Sequence, residues 1–248
     1  MKNLEWEWED RLYAPKRSVN NKSSSKMPHS KGLFYSNKME RTVEYESLAE
    51  CLFYFMLELD PGTTRYYVQP VEIEIPFYNK ERDLCSWSHI PDVLVFRSQK
   101  QPCLFQIKAS RDDISQFDHI NKCCKRHADK QGWTYRVVYP KELTNDFRYN
   151  LNFLMSFTRK SPYYQEFIDE ILDKLTFYQF IPIDELAASF RTKINPMFLL
   201  PVIYFLIGRG DINTDFHQKI TTQSKISLAD EVLTIGDFFL EEGNVDEV

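Results

Sequence analysis

Two apolar runs on either side of a polar turn constrain the fold of this chain most strongly. Residues 89–96 read His-Ile-Pro-Asp-Val-Leu-Val-Phe, and residues 103–108 read Cys-Leu-Phe-Gln-Ile-Lys. Such runs, rich in β-branched and aromatic residues and joined by a short polar segment, predict the two strands of a β-hairpin. We expect the turn to be centred on Gln99, which fixes the register of the ladder.

The predicted hairpin brings polar side chains to one edge of an otherwise apolar sheet. Asp92 lies opposite Gln106, and Gln106 shares a face with Lys108 because side chains alternate along a strand. Hydrolysis of a phosphodiester by a divalent cation needs oxygen ligands, and Asp92, the Gln106 amide and the Ile107 main-chain carbonyl can supply them. Lys108 can orient the attacking water or balance charge in the transition state. Glu50, on a preceding helix, is the best candidate for a second carboxylate.

The same residues have a simpler interpretation. Asp92 follows a proline at a strand entrance, and Lys108 is an edge residue whose ammonium group reaches solvent. A P-D and Q-x-K pattern alone favours this interpretation, since short motifs often occur by chance.

Further motifs surround these residues in order. They are E-S-x-x-E at 46–50, L-E-x-D-P at 57–61, Q-P at 69–70, P-D at 91–92 and Q-x-K at 106–108. In this combination, residues 30–140 resemble the TnsA family, the endonuclease subunits of heteromeric bacterial transposases, which have a restriction-endonuclease-like fold. The glutamine at 106 is typical of that family, whereas most restriction-type nucleases carry an acidic residue there.

The resemblance implies a set of site residues. The implied catalytic residues are Glu50, Asp92, Gln106 and Lys108. It also implies Mg²⁺, for which Mn²⁺ can substitute, with Asp92, Gln106, the carbonyl of Ile107 and Glu50 as its ligands. Glu46 lies one helical turn before Glu50 and is the alternative acidic residue, although the spacing to residues 57–58 favours Glu50.

The order of predicted elements fits an α/β core with a mixed sheet flanked by helices. Residues 46–60 have helical periodicity, residues 71–77 alternate as a half-buried strand, and the hairpin follows. A second helix over 112–130 ends at Gly132, and a strand over 134–139 closes the core. The exposed side of the second helix carries cations that are weak candidates for DNA binding, although a solvated basic face is the commoner reason for them. They are Lys122, Lys125 and Arg126.

Charge divides the chain into different parts. Residues 1–160 hold 25 basic and 21 acidic side chains, whereas residues 161–248 hold 6 and 15. A basic part suits the phosphate backbone of DNA, and a strongly acidic part is repelled by it. The predicted units are a flexible basic arm (1–40), a restriction-endonuclease-like catalytic domain (41–160), a winged-helix-like domain (161–228) and an acidic docking tail (229–248).

The third helix of the C-terminal domain, over 197–207, has no basic residue. It therefore cannot read base edges as the recognition helix of a DNA-binding winged helix does, and it is too short to span a membrane. A buried helix in a protein-binding domain is the leading interpretation. The TnsA resemblance implies that this domain contacts partner proteins, including an ATPase regulator of transposition.

The resemblance implies a metal-dependent DNA endonuclease that cuts the 5′, non-transferred strands at transposon ends. Its partners are double-stranded DNA and an integrase-like transposase subunit that processes the 3′ ends. A stand-alone restriction or repair nuclease and an inactive DNA- or protein-binding adaptor of the same fold are the alternatives. Five cysteines without a C-x-x-C pair, and no apolar leader after Met1, indicate the reducing bacterial cytoplasm, near the nucleoid when DNA is bound.

Overall fold

Seven α-helices, two short 3-10 helices and twelve strands are described in the computed structural model, which covers residues 4–17, 31–60, 62–108, 114–229, 236 and 239–241. The helices are α1 (Glu7–Leu12), α2 (Leu48–Leu59), α3 (Ile114–Lys130), α4 (Asn145–Met155), α5 (Gln165–Tyr178), α6 (Ile183–Ala188) and α7 (Pro196–Arg209). The strands are β1 (Gly32–Ser36), β2 (Arg41–Tyr45), β3 (Thr63–Val68), β4 (Ile73–Tyr78), β5 (Leu84–His89), β6 (Val93–Arg97), β7 (Cys103–Ile107), β8 (Thr134–Pro140), β9 (Ile181–Pro182), β10 (Ile212–Thr214), β11 (Lys225–Leu228) and β12 (Phe239–Glu241).

A five-stranded mixed sheet forms the centre of the fold, in the order β12-β8-β7-β6-β3. Strands β7 and β8 run parallel, and the other neighbouring pairs are antiparallel. Helix α2 packs against β3 and β7, and helix α3 packs against β8. The predicted α/β core with a mixed sheet flanked by helices is therefore confirmed.

Helix α2 lies at the centre of the core. Ser47 caps its first turn by accepting a hydrogen bond from the main-chain N–H of Glu50, and the helix ends at Leu59. Every residue from 51 to 59 is buried, because α7 covers the side of α2 that the sheet leaves open. The helix predicted over 46–60 is confirmed, but its buried surface is wider than the predicted apolar stripe.

Two predicted strands differ from the structure. The run 89–96 is not one strand, because β5 ends at His89 and β6 begins at Val93, with Pro91 between them. The strand predicted over 71–77 exists as β4, but it pairs with β5 in a separate two-stranded sheet. The place beside β6 in the main sheet belongs instead to β3, which the sequence analysis did not predict.

The prediction of a flexible arm over residues 1–40 is wrong for the parts that the structure describes. Asp10, next to the end of α1, accepts hydrogen bonds from Arg65 at 2.6 and 2.8 Å and from the Tyr67 hydroxyl at 3.0 Å. Tyr13 packs against the rings of Tyr67 and Trp133, and β1 pairs with β2. Apolar and ionic contacts thus offset the entropy of ordering this segment. Residues 18–30 lie outside the described residues.

The predicted acidic docking tail over 229–248 also contributes to the main sheet. Residues 239–241 form the edge strand β12, which pairs antiparallel with β8. Phe239 is buried against the ring of Phe53, and Glu241 forms an ion pair with Arg136 at 2.5 Å. At these three residues the segment is an integral strand rather than a detached tail. Residues 230–235, 237–238 and 242–248 lie outside the described residues.

The C-terminal part consists of α5, β9, α6, α7, β10 and β11, with the three short strands in the order β10-β11-β9. The side chain of Asn195 caps α7, which continues beyond the predicted end at residue 207 to Arg209, and Gly210 closes it with a φ of 80°. One hydrophobic core extends across the boundary predicted at residue 160. Among the described residues, no helix has the length and apolar character needed to cross a membrane.

Candidate functional site

The β6–β7 hairpin places Asp92 beside Gln106, as predicted. Val93 pairs with Phe105 and Val95 with Cys103, which is the register expected for a turn centred on Gln99. Gln99 itself has a φ of 57°. The amide nitrogen of Gln106 donates a hydrogen bond to Oδ2 of Asp92. The hairpin geometry therefore brings together the first two residues of the predicted site.

The main chain also holds the Asp92 carboxylate. The N–H of Ile107 donates to Oδ2 of Asp92 at 2.5 Å, and the N–H of Gln69 donates to the Asp92 carbonyl at 2.8 Å. The Tyr54 hydroxyl lies 3.5 Å from the same carbonyl. Asp92 is of intermediate exposure as a residue, and these hydrogen bonds fix its carboxylate from the protein side.

Glu50 forms a capping box at the start of α2. The side chain of Ser47 accepts from the Glu50 main-chain N–H at 3.1 Å, and the Ser47 hydroxyl donates back to Oε1 of Glu50 at 3.1 Å. Oε2 of Glu50 accepts from the main-chain N–H of Glu46 at 2.9 Å. The S-x-x-E spacing thus positions Glu50 at the helix start and gives both of its carboxylate oxygens a hydrogen-bond donor.

Three carboxylates interact electrostatically at this edge of the sheet. Burial, followed by repulsion from Glu50, raises the pKa of Asp92 to about 8. Burial also raises the pKa of Glu50, and the neighbouring Glu46 adds to the increase, while the hydrogen bonds of the capping box oppose it. Asp92 is therefore held next to negative charge in a poorly hydrated position, where a bound cation would stabilise its ionised form.

Lys108 lies next to these carboxylates and is fixed at two points. Its main-chain N–H donates to the carbonyl of Val138 at 3.0 Å, and its ammonium group is 3.6 Å from the centroid of the Phe117 ring. Its charge lowers the pKa of Asp92, although not enough to cancel the effects of burial and of Glu50. The structure thus brings all four predicted catalytic residues into one electrostatic neighbourhood.

His89 belongs to this site, and the sequence analysis did not assign it there. Its Nε2 lies 2.9 Å from the amide oxygen of Gln106. When Nε2 carries the proton it donates to that oxygen, so the amide nitrogen of Gln106 remains free to donate to Asp92. Burial lowers the pKa of His89, which favours the neutral ring. Pro91 was the signal available in the sequence. A proline between His89 and Asp92 indicates that one strand ends before the next begins.

Arg17 is the second residue that sequence reasoning missed. It was placed in the predicted arm, but Lys16 donates its main-chain N–H to the carbonyl of Gln69 at 2.9 Å, and Gln69 in turn bonds Asp92. Arg17 forms an ion pair with Glu46. Its charge lowers the pKa of both Glu50 and Asp92. No local pattern reveals this, because contacts between residues far apart in sequence place Arg17 here.

The negative charge of the site residues suits a hard cation such as Mg²⁺. The hydrogen bonds of the site agree with metal binding only in part, because two of the predicted ligands act as donors. Asp92 and Glu50 are carboxylates whose raised pKa values a cation would lower. Gln106 turns its nitrogen, and Ile107 its N–H, toward Asp92, so both act here as donors to that carboxylate. In the part of the chain that the structure describes, no group of three or more His, Cys, Asp or Glu side chains could hold a metal ion. The roles of Gln106 and Ile107 as ligands stay predictions.

The three cations predicted as weak DNA contacts lie on α3 and are exposed. Lys122 forms an ion pair with Asp118 at 2.6 Å. Together with Lys125 it lines a cleft of about 290 Å³ that Arg136 and Glu241 also border. Asp92 does not line this cleft, so DNA binding by Lys122, Lys125 and Arg126 stays a prediction.

Comparison with known proteins adds no relative to this description. No protein-family model matches the chain, and no curated protein matches it. The resemblance to the TnsA family therefore stays a prediction from the motifs of residues 46–108.

Proposed function

We propose that this protein is a metal-dependent DNA endonuclease whose active site lies at the end of the β6–β7 hairpin. The observation that carries the proposal is the position of Asp92, which the hairpin holds beside Gln106 and Lys108 while burial and repulsion from Glu50 raise its pKa. Asp92 has a raised pKa and lies near a second carboxylate and an ammonium group. The two carboxylates are suited to binding a divalent cation, and the ammonium group is suited to binding a phosphate.

Each residue has a distinct task in this proposal. Bound Mg²⁺ would polarise the phosphoryl oxygen and lower the pKa of the attacking water. Asp92 and Glu50 would hold the cation, and Gln106 keeps the Asp92 carboxylate oriented. Lys108 faces the charge that develops on the phosphoryl group as a water oxygen bonds to phosphorus and the bond to the leaving oxygen breaks. The proton released by the water passes to solvent.

The narrower proposal is a subunit of a heteromeric transposase that cuts the 5′, non-transferred strands at transposon ends. The order of the motifs over residues 46–108 supports it, since the TnsA-like glutamine lies beside the aspartate. An integrase-like transposase subunit would process the 3′ ends. Because Gln106 carries no charge where related nucleases have a carboxylate, we expect the site to bind Mg²⁺ weakly without its partners.

The C-terminal part supports a protein-binding role in this assembly. Its order of helix, strand, two helices and two strands, with β9 paired to β11, is the arrangement expected of a winged helix. Residues 202–208 of α7 are buried, so this helix does not present a surface that can read base edges. The excess of acidic residues after residue 160 favours a protein partner, such as the ATPase regulator of transposition.

An adaptor without catalytic activity is the second candidate function. The observation that favours it is that the polar groups of the site satisfy one another. Both oxygens of Glu50 accept hydrogen bonds in the capping box, and the Gln106 amide bridges His89 and Asp92. Such a closed network can be purely structural.

Strand-specific cleavage of transposon-end DNA distinguishes these functions. The assay contains Mg²⁺ and the candidate transposase partner, and it compares wild type with Asp92→Ala and with Lys193→Ala, whose ion pair with Glu170 lies far along the chain in the acidic part. We expect wild type and Lys193→Ala to cut the 5′ strand. Asp92→Ala should lose this cut while cutting of the 3′ strand continues. Equal cutting by all three proteins would support the adaptor, and vigorous cutting by the isolated chain would contradict the need for partners.

A further inference from the structure

A cleft of about 280 Å³ adjoins the candidate active site and contains two arginines. Its wall is formed by the segment after α1, by strand β2 and by the end of β3. The residues that line it are Pro15, Arg17, Arg41, Thr42, Val43, Glu44, Val68 and Gln69. The three chain segments are far apart in sequence, so only the folded protein brings the two guanidinium groups to one cleft.

The main chain connects this cleft directly to Asp92. Gln69, which lines the cleft, donates its N–H to the carbonyl of Asp92 at 2.8 Å and accepts from the N–H of Lys16 at 2.9 Å. Gln69 has a φ of 49°, a left-handed conformation that turns the chain at the end of β3. The cleft and the catalytic carboxylate thus share a rigid connection.

The two arginines are held in different ways. The guanidinium of Arg41 lies 5.8 Å from the centroid of the Tyr67 ring, which limits its rotation. Arg17 forms an ion pair with Glu46, and its side chain remains 55% exposed. A guanidinium group that is oriented but open to solvent can bind a phosphate through two parallel hydrogen bonds. Glu44 is the acidic residue among those that line the cleft, so the two arginines outnumber it.

We propose that this cleft is a phosphate-binding subsite in which Arg17 and Arg41 hold a backbone phosphate next to the one that is cut at Asp92. The inference rests on the proposed nuclease function and extends it by naming residues that position the DNA strand. Arg17 exchanges its ion pair with Glu46 for the phosphate. This brings a cation to the strand and leaves Glu46 to add its negative charge to the carboxylates around the metal.

The test measures the affinity of the full-length protein for a transposon-end duplex without Mg²⁺, between about 50 and about 200 mM salt. The Arg17→Ala/Arg41→Ala variant should bind at least about tenfold more weakly, and the magnitude of the slope of log K against log salt should fall by about 1, because the two arginines hold one phosphate. Lys193→Ala removes an exposed, ion-paired cation of similar exposure, 58%, and should change neither quantity.

Two further variants sharpen the result. Arg17→Lys/Arg41→Lys keeps both charges, so it should retain most of the salt slope while losing the bidentate geometry. Glu46→Gln releases Arg17 from its ion pair and should tighten DNA binding, an effect opposite in sign to that of the double alanine variant. Thermal unfolding of each variant confirms that the protein compared is folded.

The outcomes separate this inference from the proposed function. If wild type binds and cuts DNA but the double alanine variant keeps the same slope and affinity, the subsite is wrong and the nuclease stands. If wild type does not bind the duplex at all, the proposed function fails and the subsite fails with it. If inorganic phosphate binds wild type but not the double alanine variant, while the salt dependence of DNA binding is the same in both, the cleft binds small anions rather than the DNA strand.

Discussion

The two ends of helix α2 carry the same kind of residue in contrasting surroundings. Glu50 lies in the first turn, near Asp92, and Glu58 lies in the last turn, followed by Asp60. Both ends belong to the motifs from which the resemblance to the TnsA family was predicted. Their environments differ in how completely neighbouring groups compensate the negative charge.

At the C-terminal end of α2, burial raises the pKa of Glu58, while hydrogen bonds and the charge of Lys38 oppose the rise. Glu58 is 1% exposed and accepts hydrogen bonds from the hydroxyl groups of Ser36 at 2.5 Å and Tyr66 at 2.8 Å, and from the main-chain N–H of Asn37 at 3.0 Å. Asp60 pairs with Arg97 at 2.5 Å. These contacts join the β1–β2 turn and strands β3 and β6 to the helix. The L-E-x-D-P motif is therefore structural.

The N-terminal end is organised differently. There, carboxylates lie near one another, and the cations Lys108 and Arg17 only partly offset the resulting rise in the pKa of Asp92. Since an uncompensated charge costs stability, a sequence has no structural reason to retain it. The comparison teaches that burial alone does not identify a functional acid in this protein. In the proposed function, added repulsion from a neighbouring carboxylate marks Asp92 and Glu50 instead.

The largest expected effect is on stability at the C-terminal end of α2. Glu58→Ala leaves the Ser36 and Tyr66 hydroxyl groups and a main-chain N–H buried without their acceptor, so it should lower the free energy of unfolding by about 3 to 5 kcal/mol. Asp92→Ala should lower it by less than about 1 kcal/mol, because it also removes repulsion with Glu50. Urea unfolding at pH 7 measures both. Equal losses for the two variants would remove the distinction between the ends.

The second effect is the part of the pH dependence of stability that comes from Asp92. Its pKa in the folded protein, about 8, is above the ordinary value of 3.8, so the folded state binds the proton more tightly than the unfolded state does. The free energy of unfolding should therefore fall as pH rises from about 4 to about 8, by an amount on the order of a few kcal/mol, since each unit of pKa shift corresponds to about 1.4 kcal/mol. The Asp92→Asn variant should lack this part of the decline. Parallel pH profiles for wild type and variant would contradict the prediction.

A smaller effect concerns the orientation of Gln106. His89→Phe removes the partner of the amide oxygen and should destabilise the protein by about 1 to 2 kcal/mol, while raising the Mg²⁺ concentration needed for half-maximal cutting. His89→Gln retains a donor and should restore most of both properties. Rescue of stability without rescue of the Mg²⁺ requirement would show that His89 does not position Gln106 for metal binding.

The smallest effect compares two helix caps. Ser47 caps α2, and Thr144 caps α4 by accepting from the N–H of Phe147 at 3.2 Å. Replacing either with alanine should lower the free energy of unfolding by about 1 kcal/mol. Only Ser47→Ala also frees Oε1 of Glu50, so only this variant should change Mg²⁺-dependent cutting. A similar change in Thr144→Ala would assign the effect to stability rather than to Glu50.

Local patterns in the sequence predicted the hairpin and the start of α2. The register followed from the turn centre at Gln99, and the S-x-x-E spacing marked the helix start. The hairpin and the helix start each depend on residues within about 15 positions of one another, so a short window of sequence is enough to predict their geometry. The juxtaposition of Asp92 and Gln106 could be predicted for the same reason.

Contacts between distant segments could not be predicted in this way. Strand β12 pairs with β8 about 100 residues earlier, and an acidic, poorly periodic segment gives no local sign of it. Asp10 holds α1 to the sheet through Arg65, 55 positions later. As a result, Arg17 comes to the candidate site from a segment whose charge and composition predicted a flexible arm. Partner choice across a sheet depends on tertiary packing, which no short window of sequence contains.

The most direct test of the account is an NMR titration of the Asp92 carboxyl carbon in the full-length protein, with and without Mg²⁺. Without the cation we predict a pKa of about 8, and with Mg²⁺ a pKa that falls toward the ordinary range, because the cation stabilises the ionised carboxylate. Lys193→Ala should titrate as wild type does under both conditions. An ordinary pKa without Mg²⁺, or a value near 8 that Mg²⁺ leaves unchanged, would contradict the claim that this hairpin holds an uncompensated metal-binding carboxylate.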